Sequence, residues 1–152
     1  MPEITDIKPQ KSSRKGLSRF NVYVDGKFAF GLPAEALAKA GLKINQELSE
    51  QEIEKLIKEN EFLKVYDRVL KFFSFRPRSE KELSQWFRQK QIGEQTQKLV
   101  FQKVIELGYV NDEEFAKWWI EQRAEFNPRG ARLLKIELRQ KGVEKDLIVK
   151  LL

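Results

Sequence analysis

Two stretches of this chain, fifty-one residues apart, are versions of one unit: FRPRSEKELSQWFRQKQI at Phe75–Ile92 and FNPRGARLLKIELRQKGV at Phe126–Val143. After the leading phenylalanine, six of the next seventeen positions are identical: Pro77 with Pro128, Arg78 with Arg129, Leu83 with Leu134, Arg88 with Arg139, Gln89 with Gln140 and Lys90 with Lys141. Ordinary composition gives roughly one such match. Phe87 with Leu138, Ile92 with Val143 and Lys81 with Arg132 keep their chemical character. The period exceeds the roughly 34 to 47 residues of two-helix repeats and accommodates three helices of about 12 residues with their turns. A tandem helical repeat extends a surface rather than enclosing a chemical pocket, so the period bears on function before any single residue does.

The punctuation between the copies supports three helices per unit. Phe62, Val65, Val69, Phe72 and Phe73 form a helical stripe that Pro77 stops, because proline drives the residue before it, Arg76, out of helical geometry. Ser79 with Glu82 is a capping box that starts a second helix carrying Leu83, Trp86 and Phe87, with Gly93 expected to end it. The third helix carries Leu99, Val100, Val104 and Leu107 and is closed by Gly108. Asn111 with Glu114 predicts a reciprocal cap for the next helix, whose apolar side is Phe115, Trp118, Trp119 and Ile120. Gly130 stands as N-cap where the first unit has Ser79, without the capping oxygen. The second unit is expected to be cut short in its last helix, with Leu147, Ile148 and Leu151 left uncovered.

Ahead of the repeats, Ile4–Pro9 and Phe20–Val24 read as strands, and Asp25-Gly26 favours the positive φ angles of a two-residue hairpin turn, so Lys27–Gly31 returns as the partner. The basic segment KSSRKGLSR between the first two strands reads as a mobile loop. Ala34–Ala40, closed by Gly41, is the nearest helix to lay on the sheet. Ser49 and Glu52 form another capping box, and Asn60-Glu61 either breaks the helix that follows or is crossed by it. The expected fold is mainly α: tandem three-helix repeats forming an elongated body, preceded by a small antiparallel β-meander with a helix. The boundaries are 1–62, 63–110 and 111–152.

The chain has no cysteine and no histidine, which removes disulfides, thiolate metal sites, the commonest general base and the commonest transition-metal ligand. A carboxylate-and-metal nuclease would need acidic residues gathered in a cleft, whereas these mostly stand at helix starts or beside basic residues. No apolar run approaches the roughly 20 residues that span a bilayer, and the first ten residues lack the apolar core of a signal peptide. A cytoplasmic, non-catalytic protein is expected, without cofactor or metal. Residues 1–62 carry ten basic and ten acidic side chains, so the net charge of +6 lies entirely in the repeats. That distribution suits a polyanion or an acidic protein groove, and it also describes a merely solvated basic face.

Arg88, Lys90, Arg139 and Lys141 recur on the second helix of each unit and are expected to form a repeated basic ridge. Arg78 and Arg129 occupy equivalent corners just before helix N-termini, where an anion is favoured, and each equally suits a tie to a local carbonyl. Trp86, Trp118 and Trp119 stand at helical spacing and read as core in preference to base-stacking platforms. Arg76 and Arg132 complete the candidate binding set.

The strings RPRSEKEL at Arg76–Leu83, LGYVNDEEFA at Leu107–Ala116 and NPRGARLLKIELRQKGV resemble the RecX family of recombination regulators. The resemblance takes in ITDIKPQ, FNVYVDGKFAFGL and the helix start at Leu48–Ile53, so it covers nearly the whole chain. It implies an elongated, curved body of three-helix units that binds the RecA recombinase and its filament on single-stranded DNA, entering or capping the groove and restraining ATP hydrolysis, filament growth and strand exchange. It implies no catalytic site. A monomer is expected, and direct binding to single- or double-stranded DNA by the same basic ridge is the alternative. Arg76, Pro77, Arg78, Ser79, Glu82 and Leu83 match the family's first-unit signature, and Gly108, Tyr109, Asp112, Glu113, Phe115 and Ala116 its junction signature. Asn127 stands where the family often has glycine, and many members continue into a third unit.

Overall fold

The N-terminal alternation of apolar and polar residues produces the sheet it predicts. In the computed structural model, which describes residues 1–10, 19–126 and 130–152, strands β1 (Ile4–Pro9), β2 (Arg19–Val24) and β3 (Lys27–Pro33) form an antiparallel meander in sequence order. The β1–β2 segment that the sequence reads as mobile lies mainly at residues 11–18, outside the described residues. Asp25 and Gly26 both take positive φ, 51° and 80°, the left-handed pair whose twist matches that of the strands it joins. Strand β3 runs two residues past Gly31, because Leu32 supplies another inward side chain opposite Phe20. Helix α1 (Ala34–Ala40) ends on Gly41 at φ 65°. Ile4, Val22, Phe30, Leu32 and Leu48 make the buried core, with Leu37, Ile53 and Leu56 packed against it.

Helix α2 (Glu50–Phe75) begins with the expected capping box: the Glu52 amide donates to Ser49 Oγ at 3.1 Å, and the Ser49 amide to Glu52 Oε1 at 3.3 Å. It crosses Asn60 without a break. Asn60 is buried, and its side-chain oxygen accepts a 3.4 Å hydrogen bond from Arg19, so a residue that would otherwise favour turns has a partner inside the helix. The chain forms two compact units, Met1–Leu63 and Lys64–Leu152.

The second unit holds both repeats. The first comprises the end of α2, α3 (Glu80–Gln89) and α4 (Glu94–Glu106); the second comprises α5 (Asp112–Phe126), α6 (Ala131–Gln140) and α7 (Lys145–Leu151). Val69, Leu83, Phe87, Val100 and Val104 are buried in the first. Phe115, Ala116, Leu138, Val143 and Ile148 form the core of the second. Ile148 therefore departs from the expected exposed end: it is buried, and Leu147 and Leu151 pack beside it. A short helix suffices, because Ile148 reaches the Phe115–Leu138 cluster from the first turn of α7.

Two helix ends also differ from expectation. Gln91, not Gly93, takes the left-handed position after α3 at φ 57°, and Gly93 is the N-cap of α4. Gly142, the equivalent of Gln91, takes the same conformation at φ 86°. At α5 the cap runs one way: Asn111 Oδ1 accepts from the Glu113 and Glu114 amides, while the Glu114 carboxylate faces Lys117 at 3.8 Å.

Candidate partner-binding surface

The Ser79–Glu82 capping box does more than start α3. Ser79 Oγ accepts from the Glu82 amide at 3.2 Å and also donates to the Lys141 carbonyl at 2.7 Å, joining the first turn of α3 to the last turn of α6. Lys81 Nζ reaches the Gln140 carbonyl at 3.0 Å, and the Glu80 amide donates to Asp112 Oδ1 at 2.9 Å. A Cβ on Gly142 would lie 2.5 Å from Lys81 Cβ, so glycine is required there both for its backbone conformation and for the close approach.

Glu82 is the charged centre of this junction. Its carboxylate accepts two hydrogen bonds from Arg76, at 3.2 and 2.5 Å, and one from the Ser79 amide at 3.1 Å, with Lys141 Nζ 3.5 Å away. Burial pushes the carboxyl upward, but the hydrogen bonds from Arg76 and Ser79 and the charges of Arg76 and Lys141 outweigh it, and the net shift is downward. Asp112 and Glu80 are raised, chiefly by burial; the Glu82 charge adds to the first and Asp112 to the second.

Three of the expected binding cations thus face the protein. Arg76 holds Glu82 and lies 5.3 Å from the centre of the Trp118 ring. Arg78 donates to the Phe72 carbonyl at 3.3 Å and stacks 4.1 Å over the Phe72 ring; burial first, then the neighbouring Arg76, lowers its pKa. Of the two roles open to Arg78, the tie to a local carbonyl is the one adopted. Lys141 is half-buried between Glu82 and the Trp119 ring, so it does not extend the exposed ridge that its equivalence to Lys90 predicts. Trp86 is buried and stacks on Phe72, while Trp118 and Trp119 pack against the second core under cations.

The other cations point outward. Arg88, Lys90 and Arg132 are exposed, and Arg139 is exposed while donating to the Val143 carbonyl at 3.3 Å. Arg129 lies outside the described residues. Lys135, absent from the expected set, shares the outer face of α6 with Arg132 and Arg139. A helical-wheel reading of Ala131–Gln140 would have found it, since Lys135 stands between the inward Leu134 and Leu138 and the outward Arg139. A broad groove of about 1180 Å³ runs along α3 and α4, lined by Phe87, Leu99, Phe101 and Ile105 with a mixed rim of Glu94, Lys98 and Glu106. Its rim has no single sign of charge, unlike the outer face of α6. Among the described residues no helix is long and apolar enough to cross a membrane.

The chain is similar to known proteins along nearly all its length. The family model of the regulatory protein RecX N-terminal domain matches residues 2–49, and that of the RecX second three-helix domain matches residues 111–152. Regulatory protein RecX of Bacillus subtilis (strain 168) is 35% identical over 148 residues, which is 97% of this chain and 55% of the relative. The namesake from Bacillus velezensis is 34% identical with the same coverage, and that from Lactobacillus gasseri is 32% identical over 97% of this chain and 53% of its own. The chain spans about half the length of the curated relatives it matches. A crystal structure of regulatory protein RecX superposes with a TM-score of 0.72 at 26% identity, covering 99% of this chain and 72% of that one. RecX from Lactobacillus salivarius shares the fold at a TM-score of 0.56 and 23% identity over 60% of each chain.

Proposed function

The chain belongs to the RecX family of regulatory proteins, and on that premise we propose that it is a non-catalytic, cytoplasmic regulator that binds the RecA recombinase filament on single-stranded DNA and restrains its ATPase, growth and strand exchange. The observation that carries this reading is the outward display of Arg88, Lys90, Arg132 and Arg139 on the second helices of both repeats. Dispersed exposed cations on rigid helices steer an encounter with an acidic polymer and build affinity from many shallow contacts. The monomer suffices for such a contact. Adding the purified chain to RecA on single-stranded DNA is expected to lower ATP hydrolysis, and reversing the four cations to glutamate is expected to relieve that inhibition while helicity is kept. Unchanged hydrolysis at saturating dose would sink the proposal.

A second reading, direct binding to DNA, is favoured by the confinement of the whole +6 charge to residues beyond Phe62. Four phosphate contacts would make log affinity for a single strand fall with log salt at a slope of roughly −3. If naked DNA is not bound at low salt while RecA filaments are, this reading is removed.

A further inference from the structure

We propose that the outer face of α6 is a docking site for an acidic amphipathic helix of a protein partner, a reading that deepens the regulator proposed above by naming the chemistry it recognises. Leu133 and Ile136 are 46% and 47% exposed, although each is a branched aliphatic in the middle of a well-ended helix. At about 100° per residue, Lys135, Arg139 and Arg132 fall within roughly 60° of arc, and Ile136, Gln140 and Leu133 occupy the next roughly 100°. The face is therefore a basic strip laid beside an apolar strip. The one carboxylate of α6, Glu137, points elsewhere, to Arg123 at 2.9 Å. No acid on this helix balances its outward cations.

The first repeat shows what this position does when it is covered. Leu133 is the equivalent of Glu82, and Arg132 of Lys81. In α3 those residues contact the last turn of α6, where Lys81 reaches the Gln140 carbonyl and Glu82 meets Lys141. A second copy of this chain is a poor occupant for the equivalent contact. It would bring Arg132 to the end of α3, beside the exposed Arg88 and Lys90, with leucine in place of the glutamate that compensates the junction. Three cations would gather without a carboxylate. Nucleic acid satisfies the charge but leaves both aliphatic side chains against phosphate and sugar, with no aromatic on the face to stack on bases. A helix with carboxylates along one edge and apolar residues along the next satisfies both strips.

The test uses the full chain and three fluorescent probes: a helix-forming peptide of about 18 residues, five turns, with a leucine stripe bordered by glutamates; the same peptide with lysines; and an oligothymidylate of about 20 nucleotides. The glutamate peptide is expected to bind saturably and the lysine peptide not at all. Leu133→Ser with Ile136→Ser should weaken glutamate-peptide binding at least about tenfold at both low and physiological salt. Arg132→Glu with Lys135→Glu should do so mainly at low salt. All four side chains are exposed, so unchanged circular dichroism is expected and serves as the folding control. No binding of the glutamate peptide by the wild-type chain, equal binding by the serine pair, or stronger binding of the oligonucleotide than of the peptide overturns the proposal. If the peptide responds to both pairs while RecA hydrolysis is untouched by the wild-type chain, the docking face stands and the RecA reading falls.

Discussion

The two repeats share a backbone plan and differ in where their second helix directs its chemistry. In the first, Ser79 caps α3, Glu82 binds Arg76 and Lys141, and the opening turn of the helix is consumed in holding the second repeat. In the second, Gly130 leaves α6 without a side-chain cap, Leu133 replaces the glutamate, and the same face turns outward. The helix ends show the complementary exchange: glycine sits at position 142, where Lys81 comes closest, and glutamine at position 91. Duplication thus supplies the scaffold, and a few unpaired substitutions decide which face is an internal joint and which is available to a partner.

The strongest way to break this asymmetry is to give the first repeat the residue of the second. Glu82→Leu leaves Arg76 and Lys141 half-buried without their shared carboxylate and is expected to destabilise the second unit by about 3 kcal/mol. The reverse exchange, Leu133→Glu, lies on an exposed face and should change stability by less than about 0.5 kcal/mol. Urea denaturation of the pair measures both, and similar losses would show that the repeats are not used differently. Gly142→Ala comes next. It combines a positive φ with a Cβ that Lys81 must yield to, and is expected to cost about 2 kcal/mol, read as a lowered thermal midpoint.

Local rules made the elements readable and long-range pairing hid the joint. The Asp25-Gly26 hairpin, the capping boxes at Ser49 and Ser79, and the closures at Gly41 and Gly108 each depend on residues within four positions of one another. The continuity of α2 through Asn60 does not, since it depends on Arg19, forty-one residues earlier. Nor does the inward commitment of Lys141, which lies fifty-nine residues from Glu82. Identity between Lys90 and Lys141 therefore predicted one ridge, whereas tertiary contact assigns them different surroundings. The same applies to Gly93: glycine is a good signal for a helix end, but Gln91 already occupies the left-handed position two residues earlier.

Gln91 supplies a prediction of opposite sign. Replacing it with glycine, as at Gly142, relieves a left-handed side-chain residue and should stabilise by about 1 kcal/mol, less the added freedom of the unfolded chain. A rise in the thermal midpoint is the expected outcome, and a fall would mean that the glutamine makes a compensating interaction. Because Gln91 is exposed, the test isolates backbone conformation from packing.

The smallest effect is expected from pH, because carboxylates of opposite tendency meet at the α3–α5 junction. Glu80 and Asp112 are raised by burial, so the folded chain takes up their protons first as pH falls, and stability increases slightly as pH passes down through their folded values. Glu82 is lowered in the fold, so its contribution is complete above the unfolded value near 4.5 and is lost as pH falls further, through its folded value. The profile of urea midpoint against pH should therefore have a shallow maximum on the acid side of neutrality, followed by a decline. Asp112→Asn should flatten the rise and Glu82→Gln the decline, although the latter also lowers the whole curve by removing a charge from Arg76 and Lys141. A decline that persists unchanged in Glu82→Gln would assign acid sensitivity to carboxylates outside the joint, and the contrast between the repeats would then be one of geometry without an electrostatic part.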